Sequence, residues 1–307
     1  MINYSFIIPH YNIPDLLGRC IRSIPSREDI QIIVVDDNSP GQEMYLSTIP
    51  ELRRKEVEYY ASKEGKGAGY ARNIGLSYAV GKWLIFADAD DFFVENVMQI
   101  LDTYREDTSD IIYFNIKSCE CYNTDIIIPS KKDRLFKKYS ICGDERIFRI
   151  GSTEPWGKMI KRELISTNRI VFQETRAHND LLFSVMSGTL AHSIKIIDKP
   201  FYWYVYREGS LGHQKGAEPI DKLRDRIIAW KSTQAFLDTA GIKTSMYLPA
   251  IPCIRVLKKY PALYSQLFGI LRETNCNRGR VFFELLRYPF RRYLCKKGLG
   301  VDEQLVY

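Results

Sequence analysis

Three carboxylates crowd into four residues at Asp88-Ala89-Asp90-Asp91, directly after the apolar run Trp83-Leu84-Ile85-Phe86. Anions at that spacing repel one another, and the arrangement becomes favourable when a divalent cation neutralises them. Mg²⁺ or Mn²⁺ is typically held by one or two carboxylates together with substrate phosphates. A helix expected to begin near Val94 offers Asp91 a capping role, which leaves Asp88 and Asp90 for the cation. A second acidic run, Asp36-Asp37-Asn38-Ser39-Pro40, ends the strand-like stretch Ile30 to Val35. Asp and Asn form turns in their own right, but beside a base-binding crevice their carboxylates accept hydrogen bonds from a nucleobase N–H or ribose hydroxyls. Between the two acidic runs, Gly65-Lys66-Gly67-Ala68-Gly69-Tyr70-Ala71-Arg72 brings backbone N–H groups and cations to a helix start, which suits a diphosphate. Asp180 precedes the helical run Leu181 to Met186 and is either its cap or a proton acceptor, while Trp156 suits a core aromatic or a ligand platform. His10, His178 and His192 have no metal-ligand spacing, and His213 follows the strand-like Phe201-Tyr202-Trp203-Tyr204 in a turn.

The elements that position these residues alternate over the first 115 positions. Strands are expected at Ser5 to Ile8, Ile30 to Val35, Val57 to Ala61, Trp83 to Ala87 and Ile111 to Asn115, with helices at Pro14 to Ser23 and Ala71 to Val80. Such βαβ alternation predicts an α/β fold with a mostly parallel sheet, flanking helices and ligands beyond the carboxyl ends of the strands. Polar turns stand at four of those ends: Pro9 to Asn12, Asp36 to Ser39, Ser62 to Glu64 and Asp88 to Asp91. Three regions follow, at 1–115, at 116–215 and a helical C-terminal extension at 216–307. In the last, Leu223, Ile227, Trp230 and Leu237 mark one apolar helix face and Gly241 its stop.

Charge is unevenly spread. Residues 251–300 hold eleven basic and two acidic residues, whereas the rest of the chain holds 33 basic and 35 acidic ones. That balance argues against a protein that coats nucleic acid along its length. Aromatics and aliphatics interleave with Lys and Arg across 278–297, a mixture suited to an anionic membrane surface, with an ordinary helical tail carrying a solvated basic face as the alternative. The N-terminus lacks a basic leader region and runs straight into a strand, no uncharged stretch is long enough to span a bilayer, and seven cysteines are scattered without a Cys-x-x-Cys pair. The expectation is a reduced, cytoplasmic chain, peripheral at the inner face of the cytoplasmic membrane if the tail binds lipid.

Taken in order, Pro9-His10-Tyr11-Asn12, Val34-Val35-Asp36-Asp37-Asn38-Ser39, Gly69 to Gly75 and Asp88-Ala89-Asp90-Asp91 resemble family 2 glycosyltransferases of the GT-A fold. The resemblance continues through Trp156-Gly157-Lys158 and His178-Asn179-Asp180, and so covers about residues 4 to 212. It implies a donor site in which Pro9, Tyr11, Asp36 and Asp37 hold the nucleobase and ribose, Arg72 lies against base or diphosphate, and Asp88 lies near the ribose. It also implies a metal on Asp90, with His213 as a further ligand, and Asp180 as the base of an inverting transfer from a UDP-sugar. In such a transfer the carboxylate takes the acceptor hydroxyl's proton, and Lys158 with the metal stabilises the departing diphosphate. A glycan or polyprenyl-linked acceptor in surface polysaccharide synthesis would connect the basic tail to this chemistry. Two rivals are a sugar-nucleotide nucleotidyltransferase, which demands a glycine-rich loop after the first strand where Pro9-His10-Tyr11-Asn12 stands, and a non-catalytic nucleotide or glycan binder on the same fold.

Overall fold

The runs Tyr4–His10 (β1) and Ile30–Asp37 (β2) are buried at every position, as expected of strands covered on both faces. The computed structural model describes residues 1–121, 123–130, 132–207, 220–242, 264–273 and 279. Beyond β1 and β2 the strands are Val57–Ser62 (β3), Trp83–Phe86 (β4), Phe92–Phe93 (β5), Ile111–Glu120 (β6), Ile127–Ile128 (β7), Lys158–Lys161 (β8) and Ile194–Tyr206 (β9). The helices are Pro14–Arg22 (α1), Tyr45–Thr48 (α2), Ala68–Tyr78 (α3), Val97–Thr103 (α4), Lys132–Cys142 (α5), Arg146–Arg149 (α6), Arg162–Thr167 (α7), Leu181–Leu190 (α8), Ile220–Thr239 (α9) and Tyr264–Glu273 (α10).

One sheet runs β3-β2-β1-β4-β8-β6-β9-β5, with β7 paired to β6. The expected parallel order holds for β3, β2, β1 and β4. From β8 onward the sheet is mixed: β8 is antiparallel to β4 and to β6, whereas β9 is parallel to β6. Strand alternation divides the core between two faces. Phe6, Ile8, Ile32 and Val34 pack with Leu17, Cys20 and Ile21 of α1 and Val97, Ile100 and Leu101 of α4. Ile7, Ile33 and Val35 face the other way, onto Ala71 of α3, Leu164 and Ile165 of α7 and Phe183 of α8. Pro14 at the first turn of α1 and Asp15 beside it suit a helix start, where a missing N–H and a negative charge both fit.

The helix expected near Val94 begins at Val97, because Phe92 and Phe93 first pair with Trp203 and Tyr202 of β9. In α9 the expected face is buried at Leu223, Ile227, Trp230 and Leu237. Part of it closes a third cluster, in which Ala229, Trp230 and Leu237 meet Ile150, Leu181 and Val185. Gly241 adopts a left-handed φ of 72° two residues after the helix ends. Among the described residues no helix is long and apolar enough to cross a membrane. His213 and, apart from Gly279, the basic segment 278–297 lie outside the described residues.

Candidate active site

The carboxyl ends of β1, β2 and β4 stand side by side in the sheet, which brings three of the polar turns together. At the first two ends the side chains build the crevice from inside. Asp36 is fully buried and its Oδ2 lies 2.6 Å from His10 Nδ1, while its Oδ1 accepts the Ser39 N–H at 2.7 Å. His10 Nε2 accepts the Ile13 N–H at 3.1 Å, which assigns the proton to Nδ1 and makes the ring a donor to Asp36. Burial opposes the Asp36 charge, but the bonds from His10 and Ser39 prevail and hold the carboxyl below its usual range. Asp36 therefore fixes the turn that carries Pro9 and Tyr11, and Tyr11 is left 58% exposed at its tip. Asp37 accepts the Lys66 and Gly67 N–H groups at 3.1 and 2.6 Å, tying the glycine loop over the end of β2.

Arg72, on α3, is buried and joins the two halves of the site. One terminal nitrogen donates to Asp88 Oδ1 at 2.5 Å and the other to Asn179 Oδ1 at 2.8 Å, with the guanidinium over the Phe172 ring at 5.4 Å. Its Nε has no partner among the described residues, a spare donor at the junction.

The three neighbouring carboxylates after β4 have separate fates. Asp91, expected as a helix cap, is buried and instead accepts the Tyr202 hydroxyl at 2.6 Å and the Val205 N–H at 2.7 Å. The same hydroxyl accepts the Asp88 N–H at 2.9 Å, so β9 shapes the acidic turn. Tyr202 carried no local signal for this role, since its partners lie more than 110 residues away. Burial, then the charges of Asp90 and Asp88, push the Asp91 carboxyl well up. Asp90 is raised by burial and by Asp88, and Arg207 at 3.4 Å offsets part of that. The Asp88 side chain stays 31% exposed, with one oxygen on Arg72. Asp88 and Asp90 are thus left in the like-charge setting that a divalent cation relieves, and the donor set fits Mg²⁺ or Mn²⁺. No group of three or more candidate ligands exists among the described residues, so such an ion would complete its shell from a diphosphate and water.

Asp180 is half-buried at the head of α8 and makes no side-chain capping bond, so the helix-cap alternative does not describe it. Burial raises its pKa to about 6 against the opposing pull of Arg72, with Glu154 and Asp88 adding to the rise. Through Asn179 and Arg72 it sits one residue and two hydrogen bonds from Asp88.

Lys158, at the start of β8, is 1% exposed and donates to the Ser152 carbonyl at 2.8 Å. Burial and the neighbouring Lys132 pull its ammonium well down. Lys132, which reads in sequence as part of a polar connection, is 2% exposed and donates to the Trp156 carbonyl at 3.0 Å. Trp156 is a core aromatic, stacked on Tyr202 and Tyr204 at 5.6 and 5.4 Å beneath the Lys132 ammonium.

The close approach of α3 to the segment before Asp180 depends on Gly69. A Cβ there would lie 2.0 Å from the Gln173 carbonyl oxygen and 2.8 Å from Asn179 Cβ. Gly69→Ala is expected to cost about 1–3 kcal/mol through overpacking against backbone. It should lower Tm by roughly 2–12 °C, and a thermal melt matching wild type would refute that contact.

Comparison with known proteins agrees with this geometry. The Glycosyl transferase family 2 model matches residues 5–168. Glycosyltransferase GlyG of Streptococcus pneumoniae serotype 4 is 26% identical over 299 residues, covering 91% of this chain and 96% of the relative. Poly(ribitol-phosphate) beta-N-acetylglucosaminyltransferase TarS of Staphylococcus aureus is 25% identical over 251 residues, covering 78% of this chain but 42% of TarS. The crystal structure of S. aureus TarS 1–349 in complex with UDP-GlcNAc aligns with a TM-score of 0.60 at 22% identity, over 75% of this chain and 66% of that one, a likeness of fold. With the acidic turn, the glycine loop and Lys158 all inside a match that takes in more than half of its residues, the chain belongs to glycosyl transferase family 2.

Proposed function

We propose that this glycosyltransferase moves a sugar, with inversion, from a UDP-sugar to a hydroxyl of a surface glycan or a polyprenyl-linked acceptor, and that Asp180 is the base. The observation that carries the proposal is a half-buried carboxylate with a pKa near 6, free of capping bonds and linked through Asn179 and Arg72 to the acidic turn. A base near neutrality matches its task, holding the proton well enough to remove it while remaining ionised at working pH. Asp180 accepts the proton of the attacking hydroxyl as the new bond to the anomeric carbon forms and the bond to the diphosphate breaks on the opposite face. The name of GlyG supports glycosyl transfer, and that of TarS supports a sugar donor and a phosphate-bearing polymer as acceptor.

Within this reading residues 1–115 hold the donor and 116–215 the acceptor. Tyr11 and the turn from Pro9 face the nucleobase, Asp36 and Asp37 set the walls of its crevice, and Arg72, bonded to Asp88, lies against the diphosphate. Lys158 supports the floor of the site, its side-chain nitrogen buried on the Ser152 carbonyl. Asp88 and Asp90 would hold Mg²⁺ or Mn²⁺, which when bound stabilises the negative charge gathered by the leaving diphosphate. Attachment of the segment 278–297 to anionic lipid at the cytoplasmic face of the membrane completes the proposal.

Calorimetric titration with UDP tests the donor side. Wild type is expected to bind UDP more tightly with Mn²⁺ than without it, and Asp90→Ala to lose that gain. An Asp90→Ala trace identical to wild type in Mn²⁺ sinks the metal assignment.

A further inference from the structure

The segment 173–180, which presents Asn179 and Asp180, is gripped by one face of α9. Asp225 Oδ2 accepts the N–H groups of Arg176 and Ala177 at 2.8 and 3.3 Å. One residue on, Arg226 Nε donates to His178 Nε2 at 2.8 Å. Two turns further along, Ser232 Oγ accepts from Gln173 Nε2 at 3.2 Å, and between them Ala229 packs in the cluster with Leu181. Positions 225, 229 and 232 follow the i, i+4, i+7 spacing that puts side chains on one helix face. Within the turn, Thr175 Oγ1 donates to the Ala177 carbonyl at 3.0 Å, and His178 adopts a left-handed φ of 56°. A non-glycine residue holds that conformation when its surroundings enforce it. Burial, with Arg226 and Lys222 nearby, lowers the His178 pKa to about 4, so the ring is neutral and its Nε2 is a standing acceptor for the guanidinium.

Both the gripped turn and α9 lie beyond the region matched by the family model, which ends at residue 168. The turn itself buries little apolar surface: Glu174 and Arg176 are exposed, and Thr175, Ala177 and His178 are intermediate. Its geometry is therefore set by polar bonds, and the bonds that α9 supplies end two to four residues before Asp180.

We propose that Asp225 and Arg226 of α9 are positioning residues that fix the turn 176–178 and thereby the placement of Asp180 over the acceptor side of the site. The proposal rests on the reading of Asp180 as the base. A base displaced by about 1 Å loses on the order of 10²-fold in rate. Asp225→Ala in the full chain is expected to lower kcat by about 10- to 100-fold, with the donor KM within about threefold of wild type. Asp225→Asn keeps an oxygen for Arg176 and Ala177 and should recover most of the loss. Because the effect runs through Asp180, the double variant Asp180→Asn/Asp225→Ala should be no slower than Asp180→Asn alone. If Asp225→Ala does not fold, Arg226→Met tests the same turn through His178 by the same criteria. A folded Asp225→Ala with wild-type kcat, or a loss that multiplies in full with that of Asp180→Asn, overturns the proposal. Full activity in Asp180→Asn removes the base and the brace together, whereas a crippled Asp180→Asn beside a fully active Asp225→Ala removes the brace alone.

Discussion

Asp180→Asn is expected to reduce kcat by about 10²–10⁴-fold, the range contributed by a general base, with UDP affinity within about threefold of wild type. The substitution is nearly isosteric and breaks no side-chain cap, since Asp180 makes none. It also removes a carboxylate whose charge is disfavoured by burial. The variant should therefore melt at or above the wild-type temperature, which separates lost chemistry from lost structure. pH supplies a second signature. The base must be ionised to act, so wild-type kcat/KM should rise with pH through an apparent pKa of about 6 and level off above it. Asp180→Asn should lose that acidic limb. Stability runs the other way: a folded-state pKa raised above the unfolded value favours the protonated folded chain. The contribution of Asp180 is fully present below pH about 4 and is lost as pH rises through about 6. A rate profile of Asp180→Asn with an undiminished plateau and the same limb would dismiss Asp180 as the base.

The parallel half of the fold was readable because strands buried on both faces leave near-continuous apolar runs. Ile30 to Val35, broken only by Gln31, is one, and its observed strand extends only to Asp37. β8 and β9 were harder. The four residues of β8 and the half-exposed first residues of β9 carry neither a continuous apolar run nor clean alternation. At the site, residue types and their places at strand ends were legible, but partners were not. Asp91 reads locally as a cap, yet its oxygens belong to Tyr202 and Val205, 111 and 114 residues away. Asp36 reads as a ligand for a nucleotide, yet both of its oxygens are taken by His10 and Ser39. Lys132 left no trace at all, since its burial depends on the carbonyl and ring of Trp156 and on the absence of a side chain at Gly157. A Cβ at that glycine would lie 2.5 Å from the Lys132 ammonium. Apart from the local turn bond of Ser39, the missing information is a contact distant in sequence, which no periodicity encodes.

Arg72→Met is expected to reduce kcat/KM by about 10²–10³-fold, and, unlike Asp180→Asn, to do so with a loss of donor affinity and of stability. Two charge-assisted bonds disappear, each worth about 1.5–3 kcal/mol. One of them leaves Asp88 without its cation next to Asp90 and Asp91, where Coulomb repulsion already raises both neighbours. The partial exposure of Asp88 tempers the cost, because solvent screens part of that charge. The other bond frees Asn179, leaving the buried amide its single 3.3 Å bond to the Thr175 carbonyl. The donor turn and the base-bearing segment then lose their direct link. Arg72→Lys discriminates between charge and geometry. A single ammonium restores the charge, but it has no planar fork with which to hold Asp88 and Asn179 at once. Lysine should accordingly recover part of the UDP affinity and little of kcat. If Arg72→Lys turns over at the wild-type rate, the site needs only a positive charge at position 72, and the bridge from Asp88 to Asn179 has no part in aligning donor and base.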